Sequence, residues 1–363
     1  MLEARLANVA GAKALTELDR RLLLLGGASL TLAPSLARAA DPAPPAAAQD
    51  IAGLGQVDEP LQARIAALAA EAGLPRVGFA ASDITKGRAA FVRAGELFPL
   101  QSVYKLPLAV AVLHMVQTHQ LLLERVVTLT AREIAPGVSP LAETLRRGPL
   151  RTTAHRLLEA MLLNSDNTAA DALMKLAGKP EAVQQRLGEL EIDGMRIDRL
   201  ERDLQVEALG LTPPIDFAKP DALAHALDKL DADEQKQALD RYLKDQRDTG
   251  NARGLVKLMV RLTAGRMMQP RYVTMLLDLM KRTKTGNDRL RSGFPQGWTV
   301  AHRSGTSATV LGVTAAFNDV ALAMGPKGER IALALLISGA TGSSKDLALF
   351  HKAVARAVYE AWT

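Results

Sequence analysis

Apolar residues at Leu61, Ile65, Leu68 and Ala69 recur at helical spacing and predict a first helix. Two short apolar runs follow, Arg76–Ala81 and Ala89–Arg93. The charged, glycine-ended stretch Asp83–Gly87 separates them, which predicts a hairpin. Helical patterns then dominate to about Arg282, and one of them, Thr153–Leu163, runs into Asn164-Ser165-Asp166-Asn167. Strand patterns return late. Thr299–Thr306 is one, and Val313–Ala323 and Arg330–Ser338 flank the turn Gly325-Pro326-Lys327-Gly328. An amphipathic helix over about Ser344–Trp362 closes the chain. Strands at both ends with helices between them predict an α+β fold. Its antiparallel sheet has about five strands, flanked by N- and C-terminal helices. An all-α part, residues 98–295, is inserted between the second and third strands, and residues 56–97 and 296–363 form the α/β part.

Residues 1–39 read as an export signal. Asp19-Arg20-Arg21 precedes the apolar run Leu22–Leu36, and Ala37-Arg38-Ala39 gives a small-x-small cleavage pattern. The paired arginines suggest the twin-arginine route, with an ordinary secretory signal as the alternative. The run is too short and interrupted for a membrane span, so none is expected in the mature protein. Residues 40–55 read as a Pro/Ala linker, and the folded domain is expected to start near Val57.

Composition narrows the classes. The chain of 363 residues is 48% hydrophobic but only 4% aromatic, so Leu, Ala and Val must fill a sizeable core. The net charge of +6 comes from basic residues scattered along the chain without aromatic interleaving, which argues against a nucleic-acid partner. There is no cysteine, so thiol catalysis and disulfides are excluded. The six histidines lack ligand spacing, and neither a metal nor a cofactor is expected.

Candidate chemistry begins at Leu100–Val110, where Ser102 and Lys105 stand three positions apart at the start of an apolar run. If Ser102 opens a helix, the two share a face. A serine hydroxyl needs a base and a pocket for negative charge, and a crowded lysine can serve as that base. Ser165-Asp166-Asn167 reads by itself as a helix-capping triplet. Thr299–Ser307 carries a cation, a hydroxyl and a glycine on one strand, Arg303-Ser304-Gly305.

Serine–lysine, serine–asparagine and cation–hydroxyl–glycine in that order resemble the class A serine β-lactamases and penicillin-binding proteins, from about Val57 to the C-terminus. The resemblance implies that Ser102 is the acylated nucleophile, Lys105 its lysine and Ser165 a proton-shuttling hydroxyl. Asn167 would hold the substrate side-chain carbonyl. Arg303-Ser304-Gly305 takes the place of lysine–threonine–glycine, and the N–H groups of Ser102 and Thr306 would form the oxyanion hole. Lys284-Thr285-Gly286 spells the usual triplet literally but sits in a turn pattern, so the site is assigned to Arg303–Gly305. Arg289 falls where the family places an arginine for the substrate carboxylate, and it reads equally well as a surface arginine.

Arg196–Gln205 resembles the family's omega loop, with Glu201 as the general base for deacylation, and Arg199 and Asp248 as its closing ion pair. Gln205 stands in place of an asparagine that orients the water, and Val138 replaces an aromatic at the pocket rim. The loop is long. Its extra stretch, about residues 209–246, carries helically spaced Leu223, Leu227 and Leu230, a capping box at Asp231 and Glu234, and a stripe of Leu239, Tyr242 and Leu243. It reads as a self-contained helical hairpin, over the pocket or apart from it. The implied protein is an exported, monomeric serine hydrolase whose partner is a small β-lactam. A D-alanyl-D-alanine peptidase or transpeptidase and an acylated β-lactam sensor share the three motifs, and Glu201 favours the hydrolase over both.

Overall fold

The structure, a computed structural model, describes residues 53–265 and 267–363. The export signal and most of the linker lie outside the described residues. The folded unit begins at Gly53, and Leu54 is already buried in its core, slightly before the boundary expected from sequence.

Six strands form the sheet: β1 (Gln56–Val57), β2 (Val77–Asp83), β3 (Arg88–Val92), β4 (Thr299–Thr306), β5 (Phe317–Met324) and β6 (Arg330–Ile337). Their order is β1-β3-β2-β6-β5-β4, antiparallel except where β1 runs beside β3. The predicted sheet of about five strands gains β1, a two-residue edge too short to leave an alternating pattern. The all-α part therefore lies between the third and fourth strands. The predicted Val313–Ala323 strand also breaks. Val313–Thr314 folds back on Thr309–Val310, and β5 begins at Phe317.

The helices include α1 (Glu59–Glu71), α2 (Lys105–Gln117), α3 (Ala154–Asn164), α4 (Asn167–Leu176), α5 (Glu201–Ala208), α6 (Ala222–Leu227), α7 (Ala232–Lys244), α8 (Ala252–Thr263) and α9 (Ser344–Trp362). Both sheet faces are covered, and alternate residues enter different cores. Phe79, Leu333 and Leu335 pack with Leu61 and Ile65 of α1 and Val354 and Trp362 of α9. Ala80, Ala332 and Ala334 face the other way, where their small side chains let Leu255 and Met259 of α8 approach closely. β4 is left as the sheet edge beside the helical part, where it packs against the turn that carries Ser102. Among the described residues no helix is long and apolar enough to cross a membrane.

The long-loop hairpin is not self-contained. Leu239 and Tyr242 of α7 pack with Ala315, just before β5, and with Val310 and Val313 of the fold-back, while Ala208 of α5 joins the same cluster. Phe217 enters the main core, and its carbonyl and that of Ala218 accept hydrogen bonds from Arg146. The apolar stripe was legible, but its partners come from across the sequence.

Candidate active site

Residues Gln101–Tyr104 form a 3-10 turn, and α2 begins only at Lys105. Ser102 thus stands one turn ahead of the helix expected to start with it. The shared face survives, because residues three apart eclipse in a 3-10 turn. Lys105 is fully buried. Its Nζ donates to Asn167 Oδ1 at 2.6 Å, to the Ser165 carbonyl at 2.9 Å and to Ser165 Oγ at 3.4 Å. Burial lowers the Lys105 pKa to about 8, against the raising effect of the Glu201 carboxylate, while Arg303 lowers it further.

The triplet after α3 divides its work. Ser165 adopts a left-handed conformation, φ 61°, that ends α3. Asp166 caps α4, with Oδ1 accepting Ala169 N–H at 2.8 Å and Oδ2 accepting Leu141 N–H at 2.7 Å. The capping reading thus holds for Asp166, and its neighbours turn to the site. Ser165 Oγ donates to Ser102 Oγ at 3.0 Å, so Lys105 reaches the nucleophile through this hydroxyl. Asn167 Nδ2 donates to the Pro136 carbonyl at 2.7 Å, and its N–H to the carbonyl of Val138, a residue that is exposed.

On β4, Arg303 is fully buried and fills three acceptors: Ser165 Oγ at 2.6 Å, the Ser102 carbonyl at 2.9 Å and the Leu162 carbonyl at 3.3 Å. Burial lowers its pKa to about 10, which leaves it a cation at neutral pH. Gly305 sits where the strand meets the nucleophile's turn. A Cβ there would lie 2.6 Å from the Leu100 carbonyl oxygen and 3.1 Å from Ser102 N. Ser304 Oγ bonds Thr285 Oγ1 at 3.2 Å, so the literal Lys-Thr-Gly triplet does touch the site through Thr285, while Lys284 is exposed in its turn. Arg289 is buried behind the strand. It donates to the Gly305 and Asn318 carbonyls at 3.1 and 2.8 Å and to Thr306 Oγ1, and its guanidinium stacks on Phe317. It is therefore no surface arginine, and it meets the site through Thr306, which is exposed.

Glu201 opens α5 and is buried at 1% exposure. Gln205 Nε2 donates to its Oε1 at 2.7 Å, while Oε2 has no hydrogen-bond donor within bonding distance among the described residues and forms an ion pair with Lys105 Nζ at 3.9 Å, with the Glu201 charge also felt by the buried Tyr104 hydroxyl. The loop's neck closes through Arg199 Nε and Asp248 Oδ2 at 2.6 Å, with Asp245 and Glu207 also on Arg199. Three contributors were not read from the sequence as site residues, although Tyr242 stood in the insertion's apolar stripe. Asp171 accepts the Glu201 and Arg202 N–H groups at 2.6 and 3.1 Å, fixing the start of α5. Burial and the Glu201 charge raise its pKa to about 7. Its signal was available, since it lies one helical turn after Asn167 on the same face. Gln101 and Tyr242 are the other two. Gln101 is polar in an apolar stretch, but nothing in the sequence names its partner. Among the described residues no cluster of His, Cys, Asp and Glu is arranged for a metal.

Known proteins place this arrangement. Residues 60–362 match the family described as the beta-lactamase enzyme family. The extended-spectrum β-lactamase PER-1 of Pseudomonas aeruginosa is 25% identical over 266 residues, 73% of this chain and 75% of that protein. A crystal structure of a β-lactamase from Chitinophaga pinensis superposes with a TM-score of 0.69 at 25% identity, covering 84% of this chain and 100% of that one. An ancestral class A β-lactamase (GNCA) gives 0.67 at 26% identity, with 83% and 100% covered. The match spans the whole α+β unit with its inserted helices, and the chain belongs to the β-lactamase enzyme family, with the class A fold.

Proposed function

We propose that the protein hydrolyses the β-lactam amide through an ester on Ser102, released by water that Glu201 activates. The buried Glu201 carboxylate carries this reading, with one oxygen held by Gln205 and the other ion-paired to Lys105 at 3.9 Å without a hydrogen-bond donor on it among the described residues. In acylation, Ser102 Oγ attacks the lactam carbonyl carbon and its proton passes to Lys105. With a pKa of about 8, Lys105 is neutral in an appreciable fraction of molecules at pH 7. The N–H groups of Ser102 and Thr306 receive the carbonyl oxygen as it becomes negative. Ser165, bonded to both Ser102 and Lys105, returns the proton to the lactam nitrogen as the C–N bond breaks. In deacylation, Glu201 takes a proton from water as its oxygen attacks the ester carbonyl. The C–O bond to Ser102 then breaks, a proton passes to Ser102 Oγ from Lys105 through Ser165, and Lys105 recovers its proton from Glu201 beside it, which regenerates the alcohol and the carboxylate.

The charge of Arg303, with the hydroxyls of Ser304 and Thr306, favours substrates bearing a carboxylate, and Arg289 supports Thr306 from behind. Asn167 Nδ2 gives one hydrogen to the Pro136 carbonyl, and its second would meet the substrate's side-chain carbonyl. The protein works as an exported monomer on a small molecule, the N-terminal signal delivering it outside the cytoplasm.

The test is intact-mass spectrometry of the protein mixed with a penicillin and followed over time. The wild type is expected to show a brief adduct, and Glu201→Ala a lasting one. A lasting adduct on the wild type would mean a penicillin-binding acceptor instead, and an adduct on Ser102→Ala would overturn the nucleophile.

A further inference from the structure

The helical insertion reaches Glu201 through three side chains. Tyr242, near the end of α7, is buried, and its Oη accepts Gln101 Nε2 at 2.5 Å. Gln101 Oε1 accepts Gln205 Nε2 at 2.9 Å, and the same nitrogen donates to Glu201 Oε1 at 2.7 Å.

The polarity of this chain is set from the carboxylate end. An ionised Glu201 oxygen can only accept, so Gln205 must present its amide nitrogen. That nitrogen's second hydrogen then requires an acceptor, which turns the Gln101 carbonyl towards it. The Gln101 amide nitrogen is thereby aimed away from Gln205, and Tyr242 Oη receives it. The tyrosine ring has little freedom to move, since it packs with Leu239 and Ala315, against Val310 and Ala208. Gln101 also holds a left-handed backbone, φ 47°, immediately before Ser102, a conformation that a non-glycine residue keeps only when its surroundings hold it.

We infer that Tyr242 is a positioning residue for deacylation: it fixes Gln101, and through it Gln205, so that Glu201 Oε1 is held and Oε2 stays free for water. This rests on the reading of Glu201 as the deacylating base. It gives the inserted hairpin a task that its distance in sequence from every motif conceals, and it makes the hairpin a support of the catalytic water rather than a cover over the substrate.

Tyr242→Phe in the full chain is the test, because phenylalanine keeps the ring and removes only the hydroxyl that accepts from Gln101. If deacylation slows alone, kcat and KM fall together and kcat/KM, which reports acylation, stays constant. The expected loss in kcat is about tenfold, the order for one buried hydrogen-bonding group left unpaired. Acyl-enzyme should then be visible at steady state by mass. Tyr242→Phe combined with Gln205→Ala should be no slower than Gln205→Ala alone, since both break one chain. A general loosening of the fold would instead lower kcat/KM and the melting temperature with KM unchanged or raised, and that pattern overturns the inference. So do wild-type kinetics. Glu201→Ala, measured in parallel, separates the two levels. If it traps the ester while Tyr242→Phe behaves as wild type, only the role of Tyr242 falls. If it does not trap the ester, the base assignment falls, and the Tyr242 role with it.

Discussion

Arg303 Nη2 donates to Ser165 Oγ at 2.6 Å, and this bond points the Ser165 hydroxyl proton at Ser102 Oγ. The hydroxyl can accept from the cation and still donate to the nucleophile. Because Nε and Nη1 of the same guanidinium hold the Ser102 and Leu162 carbonyls, the planar fork ties the nucleophile's turn, the end of α3 and β4 together.

That fork makes Arg303→Lys a poor substitution, although lysine is the residue the family usually carries there. A lysine reaching Ser165 leaves two buried carbonyls without their donors. We expect a stability loss of about 1–3 kcal/mol and slower acylation, read from the melting curve and the burst rate. Lys284→Ala should leave both unchanged, because that side chain is exposed. Equal effects of the two variants would move the motif back to the literal triplet.

Gly305→Ala tests the meeting of strand and nucleophile. The added methyl would meet the Leu100 carbonyl oxygen at 2.6 Å and Val103 N at 2.9 Å, both backbone atoms with no rotamer to yield. The strand must retreat from Ser102, separating the two N–H groups of the proposed oxyanion hole. A displacement near 1 Å at a reacting centre lowers rate by about a hundredfold, so kcat/KM should fall by that order while the far side of the sheet stays folded. Near-normal kcat/KM would mean that the oxyanion site does not include β4.

How much of this was legible in the sequence follows from the range of each contact. Ser102 with Lys105, and Ser165 with Asn167, are local motifs whose geometry follows from a single turn. Thr299–Thr306 appeared with its observed bounds although its residues are mostly polar, since the cation, hydroxyl and glycine it carries marked it. The break before β5 was hidden, since Val313 to Phe317 is unbroken in character. Ala315 packs with α7 there, and the ladder ends at Ala316, whose carbonyl still accepts the Ser307 N–H while its own N–H goes to Ser307 Oγ. Gln101 and Tyr242 stayed hidden for the same reason, joined across 141 positions by one hydrogen bond.

The pH dependence of acylation follows from Lys105. Its pKa is held at about 8, and only the neutral amine accepts a proton, so the acylation rate should rise with pH through that value and level off above it. Glu201 raises this pKa, so in Glu201→Ala the midpoint should move down. Burst rates against pH in the two proteins give the comparison. A midpoint that moves up, or an acylation rate that is flat between pH 6 and 9, would remove Lys105 from the role of base.

Asp171 gives the last prediction, and its sign is fixed by linkage. Burial, then the neighbouring Glu201 charge, raises its carboxyl from 3.8 to about 7 in the folded protein. Between these values the folded state binds more protons than the unfolded chain, so this group's contribution to stability falls as pH rises from about 4 to 7. Asp171→Asn removes the titration. Its Oδ1 can still accept the Glu201 N–H, but its amide meets the Arg202 N–H as a second donor, so one bond is lost. At pH 4 the variant should be the less stable protein, by about 1 kcal/mol for that bond. As the pH is raised to 7 the wild type pays the growing penalty of a buried charge and the variant does not, so the difference in melting temperature should shrink and can reverse. Thermal melts of both proteins at several pH values measure it. A difference that widens with pH would mean that the Asp171 carboxylate is stabilised in the fold, with its pKa lowered, and that the two N–H groups at the start of α5 outweigh its burial.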